Sequence, residues 1–274
     1  MKRKRETAKV RAFRARYGPA ALVTGAAQGI GRAFAESLAA RGLAVFMVDV
    51  QAEAVERAAA EVARDYAGKA IPIVADLAER SFLAQILEGI EAAGGAGEEN
   101  EIGLVICNAA IGLEGPFLSE SLESLHRAIE VNCHATMTLT HHFGKSLVAR
   151  GRGGLMLISS GTALQGSPNY VNYAATKAFN LVLGESLWYE LKDQGVDVLS
   201  FVPGPTNTPG MRKSMPRLEE GVEVGPIRLP AVTAESAIEA LGRQASAARQ
   251  RGHASRLAAR RRAAEAAVER QRGR

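Results

Sequence analysis

Between residues 20 and 204 the chain repeats one alternation: a short, wholly apolar run, then a longer stretch with apolar residues at helical spacing. The apolar runs are Ala20–Gly25, "LAVFMVDV", "AIPIVADL", "GLVICNAA", "GGLMLISS" and "VDVLSFVPG". Between them lie "GRAFAESLAARG", "AEAVERAAAEVARDY", "AERSFLAQILEGIEAAGG", the region 121–149 and "NYAATKAFNLVLGESLWYELKDQG". Strands that are apolar throughout need helices on both faces. Regular β-α alternation then implies a parallel, doubly wound sheet, so the expected fold class is α/β. At 274 residues and 47% hydrophobic content, the chain suits one large domain. No run approaches about 18 consecutive apolar residues, so no membrane-spanning helix is expected.

The net charge of +5 is unevenly spread. Residues 1–16 carry +7 and residues 245–274 carry +7, which leaves −9 for the body. We read residues 1–16 as a basic N-terminal arm, 17–248 as the folded domain and 249–274 as a basic, Ala/Arg-rich C-terminal helical tail. Basic ends can engage nucleic acid or anionic membrane. Apart from Phe13 no aromatic side chain is interleaved in either end, so bases would find no stacking platform. The expectation is a solvated arm and a loosely attached tail, with no nucleic-acid partner. Cys107 and Cys133 sit in apolar stretches and read as reduced thiols of a cytoplasmic protein, and the scattered histidines show no metal-ligand spacing. The start of the chain is basic but lacks the apolar run of a secretory signal.

The first apolar run leads directly into "TGAAQGIGRA", a turn with Gly25, Gly29 and Gly31. Small residues there let a pyrophosphate approach the backbone, and the following helix start offers N–H groups and a positive dipole end. The setting, after a buried strand and at the start of a helix, is that of a dinucleotide site. Asp49 ends the second strand, 18 residues after Gly31. A carboxylate there can accept both adenosine-ribose hydroxyls and repels a 2′-phosphate. No Arg or Lys lies between Gly25 and Gly31 or just after Asp49, and Arg32 is the nearest cation. NAD is therefore expected in preference to NADP.

Tyr173 and Lys177 are four apart, on one face of a helix, whereas Tyr170 has Ala174 at that offset. A nearby ammonium favours phenolate over phenol, so this pair can make a proton-transfer group of a tyrosine. Ser159 and Ser160 are neighbours on a strand and point to opposite faces, so only one of them can join the pair.

These features together resemble the short-chain dehydrogenase/reductase family over roughly residues 18–245. The resemblance rests on "TGAAQGIG", Asp49, "ADL" at 75–77, "CNAAIG" at 107–112, Asn132 in "IEVNCHA", Ser160, "YAATK" and "PGPTNT" at 203–208. It implies a Rossmann-type NAD-binding catalytic domain, with Asn132, Ser160, Tyr173 and Lys177 as the catalytic group. Ser160 stands 13 residues before Tyr173, the family spacing, and Ser159 does not. The cofactor would be held by Gly25, Gly29, Ile30, Gly31, Asp49, Asp76, Leu77, Asn108, Ala109, Tyr173, Lys177, Pro203, Gly204, Thr206 and Thr208, and no metal is implied. Lys177 would hold the nicotinamide ribose and lower the Tyr173 pKa. A shift from about 10 to about 7 needs roughly 4 kcal/mol. Asn132 would hold a water linking Lys177 to solvent, and Thr208 would meet the carboxamide.

The implied activity is hydride transfer between NAD(H) and a secondary alcohol or ketone. The alternative is a non-catalytic dinucleotide-binding protein whose basic ends contact another macromolecule. The segment 205–230, rich in proline, reads as a lid. Its Met211, Met215, Leu218, Val222, Val224, Ile227 and Leu229 suit either an apolar substrate or packing of the lid itself. Cys107 and Ala110 stand where the family has Asn and Gly. The region after residue 245 lacks the apolar run of a seventh strand, which argues against a homotetramer built through it. Helices 121–149 and 173–194 could pack a homodimer.

Overall fold

The computed structural model describes residues 7–66, 68–94, 101–248, 254–255, 257–259 and 262. Its centre is a parallel sheet of β1 (Ala20–Thr24), β2 (Ala44–Asp49), β3 (Ala70–Val74), β4 (Ile102–Cys107), β5 (Gly153–Ile158), β6 (Val196–Val202) and β7 (Ser246–Ala248). The order across the sheet is β3-β2-β1-β4-β5-β6-β7. The chain starts at the middle, winds outward to β3, returns to β4 beside β1 and winds outward the other way. This is the doubly wound Rossmann arrangement, and its switch point lies between β1 and β4.

The crossover helices are α2 (Gly29–Ala40), α3 (Ala52–Tyr66), α4 (Phe82–Ala92), α5 (Leu122–Ile129), α6 (Ala135–Arg150), α7 (Val171–Leu191) and α9 (Pro230–Ala240). A single π turn, Glu130–His134, joins α5 to α6. The strand period of two sends alternate residues to opposite faces. Ala21 and Val23 of β1 pack with Phe34, Leu38, Val55 and Ile238. Ala20 and Leu22 pack with Phe82, Ile86, Leu139 and Phe143 on the other side. The lid contains the short helix α8 (Pro209–Ser214), and Thr206 bridges to Arg228 to close its base.

Three expectations are corrected. The seventh strand forms: Ser246, Ala247 and Ala248 pair in parallel with Ser200, Phe201 and Val202 of β6. An edge strand of three small residues needs no long apolar run, since only Ala247 has to enter the core, and Ser246 donates its hydroxyl to Glu185 at 2.8 Å. Within the N-terminal arm, Ala8–Tyr17 form helix α1, capped by Thr7, whose hydroxyl accepts the Val10 N–H at 3.3 Å. Phe13 and Tyr17, four apart, join the first core. Tyr17 donates its hydroxyl to Asp197 at 2.7 Å and Arg16 reaches the same carboxylate at 2.9 Å. A boundary at residue 17 thus cuts a helix.

The third correction concerns the tail. Leu257 is 1% exposed and packs with Leu181 and Val202. Most of the tail, including Val268, lies outside the described residues. Burying one leucine stabilises by about 1.5–3 kcal/mol, which offsets part of the cost of ordering the turn that carries it. We expect Leu257→Ala to lower the unfolding free energy by about 2–5 kcal/mol, read from the denaturant midpoint. An unchanged midpoint would mean that this leucine is not part of the core.

Candidate active site

The turn between β1 and α2 is shaped by its glycines. Gly25 (φ 65°) and Gly29 (φ 61°) are in the left-handed region, where a side chain is strained. A Cβ on Gly31 would collide with the Gly25 carbonyl oxygen and come within 2.6 Å of Asn108 Nδ2. One on Gly25 would come within 2.9 Å of Ala109 Cα. The bare backbone leaves a cavity of about 360 Å³ bounded by Gly25, Gly29, Asp49, Asp76, Asn108 and Thr208. Ile30, Leu77 and Ala109 also line it. This cradle of glycines beside a strand-end carboxylate fits a dinucleotide.

Two hydrogen-bonded groups fix the cavity walls. Thr24 Oγ1 accepts the Asn108 and Ala109 N–H groups at 3.0 and 3.1 Å. Asn108 Nδ2 donates to the Thr24 and Gly25 carbonyls at 2.9 and 3.3 Å. Asp49, 8% exposed, accepts the Ala27 and Gln51 N–H groups, each at 3.1 Å. The nearby cations are already paired. Arg32 bridges Glu36 at 2.9 Å and Glu61 at 2.7 Å. Arg127 lies 2.7 Å from Asp76. Partial burial opposes ionisation of Asp76, but the bonds from Arg127 and the Ala78 N–H hold it below the usual carboxylate range. Nothing in the sequence pointed to Arg127, which reaches the cavity from α5.

A second cavity, of about 890 Å³, shares Ile30, Ala110, Thr208 and Gly210 with the first. Ser160, Tyr173, Pro203, Gly204 and Thr206 line it, along with Tyr170. Ser160 follows β5, and Tyr173 and Lys177 sit in the first turns of α7. Ser160 and Tyr173 line the same cavity. Thr162 donates its N–H and hydroxyl to Ser160 Oγ at 3.3 and 3.0 Å, which orients the serine. Ser159 points away, fully buried, and donates to the Lys177 carbonyl at 2.7 Å.

Lys177 is 2% exposed, and its ammonium donates to the Ile158 carbonyl at 2.8 Å. Nζ lies 5.7 Å from the Tyr173 ring centroid. Burial lowers its pKa to about 8. Burial also raises the Tyr173 phenol, against the opposing influence of the Ser160 hydroxyl. The expected depression of Tyr173 by Lys177 is thus not a property of the protein alone, because desolvation of the phenolate dominates. Asn132 lies in the π turn, fully buried. Its amide accepts the Ile111 N–H at 2.8 Å and donates to the Ile111 carbonyl and Thr176 Oγ1 at 3.0 and 2.9 Å. It anchors the loop after β4 to α7, while the Lys177 ammonium bonds elsewhere, to the Ile158 carbonyl. Thr208 caps α8 by accepting the Met211 N–H at 3.2 Å. Thr206 is buried and bonded to Gly204 and Thr233, at 2.9 and 3.0 Å.

The short-chain dehydrogenase profile matches residues 19–219. The chain belongs to the short-chain dehydrogenase family. It is 30% identical over 235 residues to a 7β-hydroxysteroid dehydrogenase of Collinsella aerofaciens, covering 85% of this chain and 87% of that one. It is also 30% identical over 190 residues to the inactive hydroxysteroid dehydrogenase-like protein 1 of Homo sapiens, covering 68% of this chain and 56% of that one. Among solved structures, a protein assigned as an NAD(P)-dependent gluconate 5-dehydrogenase from Beutenbergia cavernae, with bound NADP at low occupancy, superposes with a TM-score of 0.71. It is 29% identical, over 85% of this chain and 95% of that one. Members of this family are oxidoreductases that use NAD or NADP, and the glycine cradle described above fits that cofactor type.

Asn207 was not singled out by the sequence. It is 2% exposed, and its amide donates to the Glu219 and Val222 carbonyls at 2.7 and 2.8 Å while accepting from Arg212 at 3.1 Å. It holds the lid together from inside. Because Lys177 titrates lower when folded than when unfolded, the unfolded state binds more protons between about pH 8 and the ordinary lysine value. The contribution of this residue to stability therefore rises with pH through that window. In protein labelled at lysine Cε, we expect the Lys177 NMR titration midpoint at about 8. A midpoint at the ordinary lysine value would show that Nζ is hydrated.

Proposed function

We propose that this chain interconverts a secondary alcohol and a ketone with NAD(H) as hydride partner. The carrying observation is that Ser160 and Tyr173 line one cavity, which shares residues with the dinucleotide cradle, with buried Lys177 against the Tyr173 ring. An inactive relative at 30% identity makes enzyme activity a matter of these residues rather than of the fold.

Bound NAD(H) supplies or accepts the hydride at the carbonyl carbon. Ser160 and Tyr173 donate hydrogen bonds to the oxygen as it gains alkoxide character. Tyr173 delivers its proton to that oxygen in reduction and takes it back in oxidation. Lys177, with a pKa near pH 8, holds a charge close to Tyr173 that favours the phenolate. Asn132 keeps the β4 loop and α7 in register, and Pro203, Gly204, Thr206 and Thr208 form the wall beside the reacting end. Residues 17–248 with α1 make up the catalytic domain, and 205–230 its lid. Leu122, Ile129, Met137, Phe179 and Val182 expose apolar surface on α5, α6 and α7, which supports a homodimer through those helices. Unpaired Cys107 and Cys133 suit a reducing, cytoplasmic setting.

Tyr173→Phe should lower kcat by about 10²–10⁴-fold while leaving the Kd for NADH, read by fluorescence, nearly unchanged. Near-native turnover would remove Tyr173 from its role.

For the cofactor, Asp49 at the cavity wall repels a 2′-phosphate, and Arg32 and Arg127 are engaged with carboxylates. We expect kcat/KM to favour NAD over NADP by about tenfold or more, on the order of 1.4 kcal/mol. Asp49→Ala should narrow that ratio. A native preference for NADP would overturn the assignment.

A further inference from the structure

The substrate cavity has an unusual charge balance. Among its described lining residues, Glu114 is the one with a formally charged side chain. The residue lies in the loop between β4 and α5, exposed at the cavity rim, and one hydroxyl ties it to the lid. Ser214, at the end of lid helix α8, donates to Glu114 Oε2 at 2.8 Å. Tyr170, one turn before Tyr173, lines the same cavity. The loop is fixed too, since the Gly115 N–H donates to the Asn169 carbonyl at 2.8 Å.

The cations closest along the lid do not balance it. Arg212 is bonded to Asn207 and Glu220, and Arg217 lines a separate apolar cavity. Lys213 precedes Ser214 but is exposed and does not line the cavity. Lys177 is buried behind Tyr173 with its ammonium on Ile158.

We propose that Glu114 determines specificity: it rejects substrates carrying a carboxylate or phosphate at the end distal to the carbonyl and favours neutral ones with a hydroxyl there. A distal hydroxyl can donate to a carboxylate that already accepts from Ser214, because each carboxylate oxygen accepts more than one bond. An anion at the same place meets like charge with no partner. The bond from Ser214 and the nearby Tyr170 hydroxyl hold Glu114 below the ordinary carboxylate range, so the charge persists throughout the neutral region. This inference rests on the oxidoreductase reading of the same cavity.

The test uses two ketones that differ at one substituent, 4-hydroxycyclohexanone and 4-oxocyclohexanecarboxylate. Reduction with NADH at neutral pH should give a kcat/KM about tenfold or more higher for the hydroxyketone, the scale of one unit-charge repulsion near a protein surface. Glu114→Gln, which keeps acceptor capacity and removes the charge, should bring the ratio to about twofold or less by the same reckoning. Ser214→Ala, which releases the lid but keeps the charge, should retain the discrimination. Calorimetric titration of both ketones into NAD⁺-saturated protein should give the same pattern in Kd without turnover. If neither ketone is reduced, the proposed activity fails for this class while the Kd ratio still decides the role of Glu114. An unchanged ratio in Glu114→Gln, a ratio lost equally in Ser214→Ala, tighter native binding of the carboxylate, or no binding of either ketone would overturn the proposal.

Discussion

The splaying of β1 from β4 at their carboxyl ends is the constraint on which the rest of the molecule depends. Parallel strands whose crossovers leave in opposite directions must open a crevice there, and the crevice exposes backbone groups that no ladder satisfies. Thr24 and Asn108 close that deficit. The threonine hydroxyl accepts two N–H groups from the β4 side, and the asparagine amide returns two bonds to the β1 side. With the strand ends tied in this way, Gly25 and Gly31 can come together with only bare backbone between them. The cradle is thus a by-product of satisfying strand ends, and its chemistry follows from what the turn leaves empty.

The Ser160, Tyr173 and Lys177 group is held by a second set of ties that runs between β5 and α7. Ser159 donates to the Lys177 backbone, and the Lys177 side chain returns to the Ile158 carbonyl. These bonds lock the register of the helix against the strand, so Tyr173 and Ser160 meet at the cavity wall without depending on the lid. Burying a lysine costs stability, as its lowered pKa shows. The same burial raises the Tyr173 phenol. In the protein alone the tyrosine is therefore kept protonated, the state needed to donate a proton to a ketone. In the reaction we propose, oxidation of an alcohol would need the opposite state, with Lys177 charged as the proton leaves.

Much of this was legible in the sequence because it follows from periodicity and glycine placement. The six long strands, the crossover helices, the glycine turn and the Tyr173–Lys177 spacing each reflect one dominant local cause. The elements that were not legible depend on tertiary partners. β7 consists of Ser246, Ala247 and Ala248, and nothing apolar marks it; β6 makes it a strand by supplying a free edge. Helix α1 looks like a solvated basic arm until Phe13 and Tyr17 find the core and Asp197. The family resemblance named Asn132 as a candidate, but its engagement with Ile111 and Thr176 was not legible, because the π turn that aims it has no sequence signature. The Glu114–Ser214 bond joins residues 100 positions apart. No local pattern can anticipate such a contact.

The lid joins these two kinds of information. Its apolar residues were compatible with contacting substrate or with packing the lid, and the structure divides them between those tasks. Met211 and Met215 line the catalytic cavity. Leu218 and Ile227 are buried, and with Met215 and Val224 they bound a separate apolar hollow. Asn207 makes this division possible: by bonding the Glu219 and Val222 carbonyls from inside, it supplies the turn that secondary structure does not. A lid built this way has an ordered interior and a cavity-facing edge free to vary. The reacting end of the substrate is then governed by strand ends and α7, which the fold dictates. In the proposed reaction the distal end would be governed by the lid and the loop after β4, which the fold leaves open, and there a single carboxylate would set what enters.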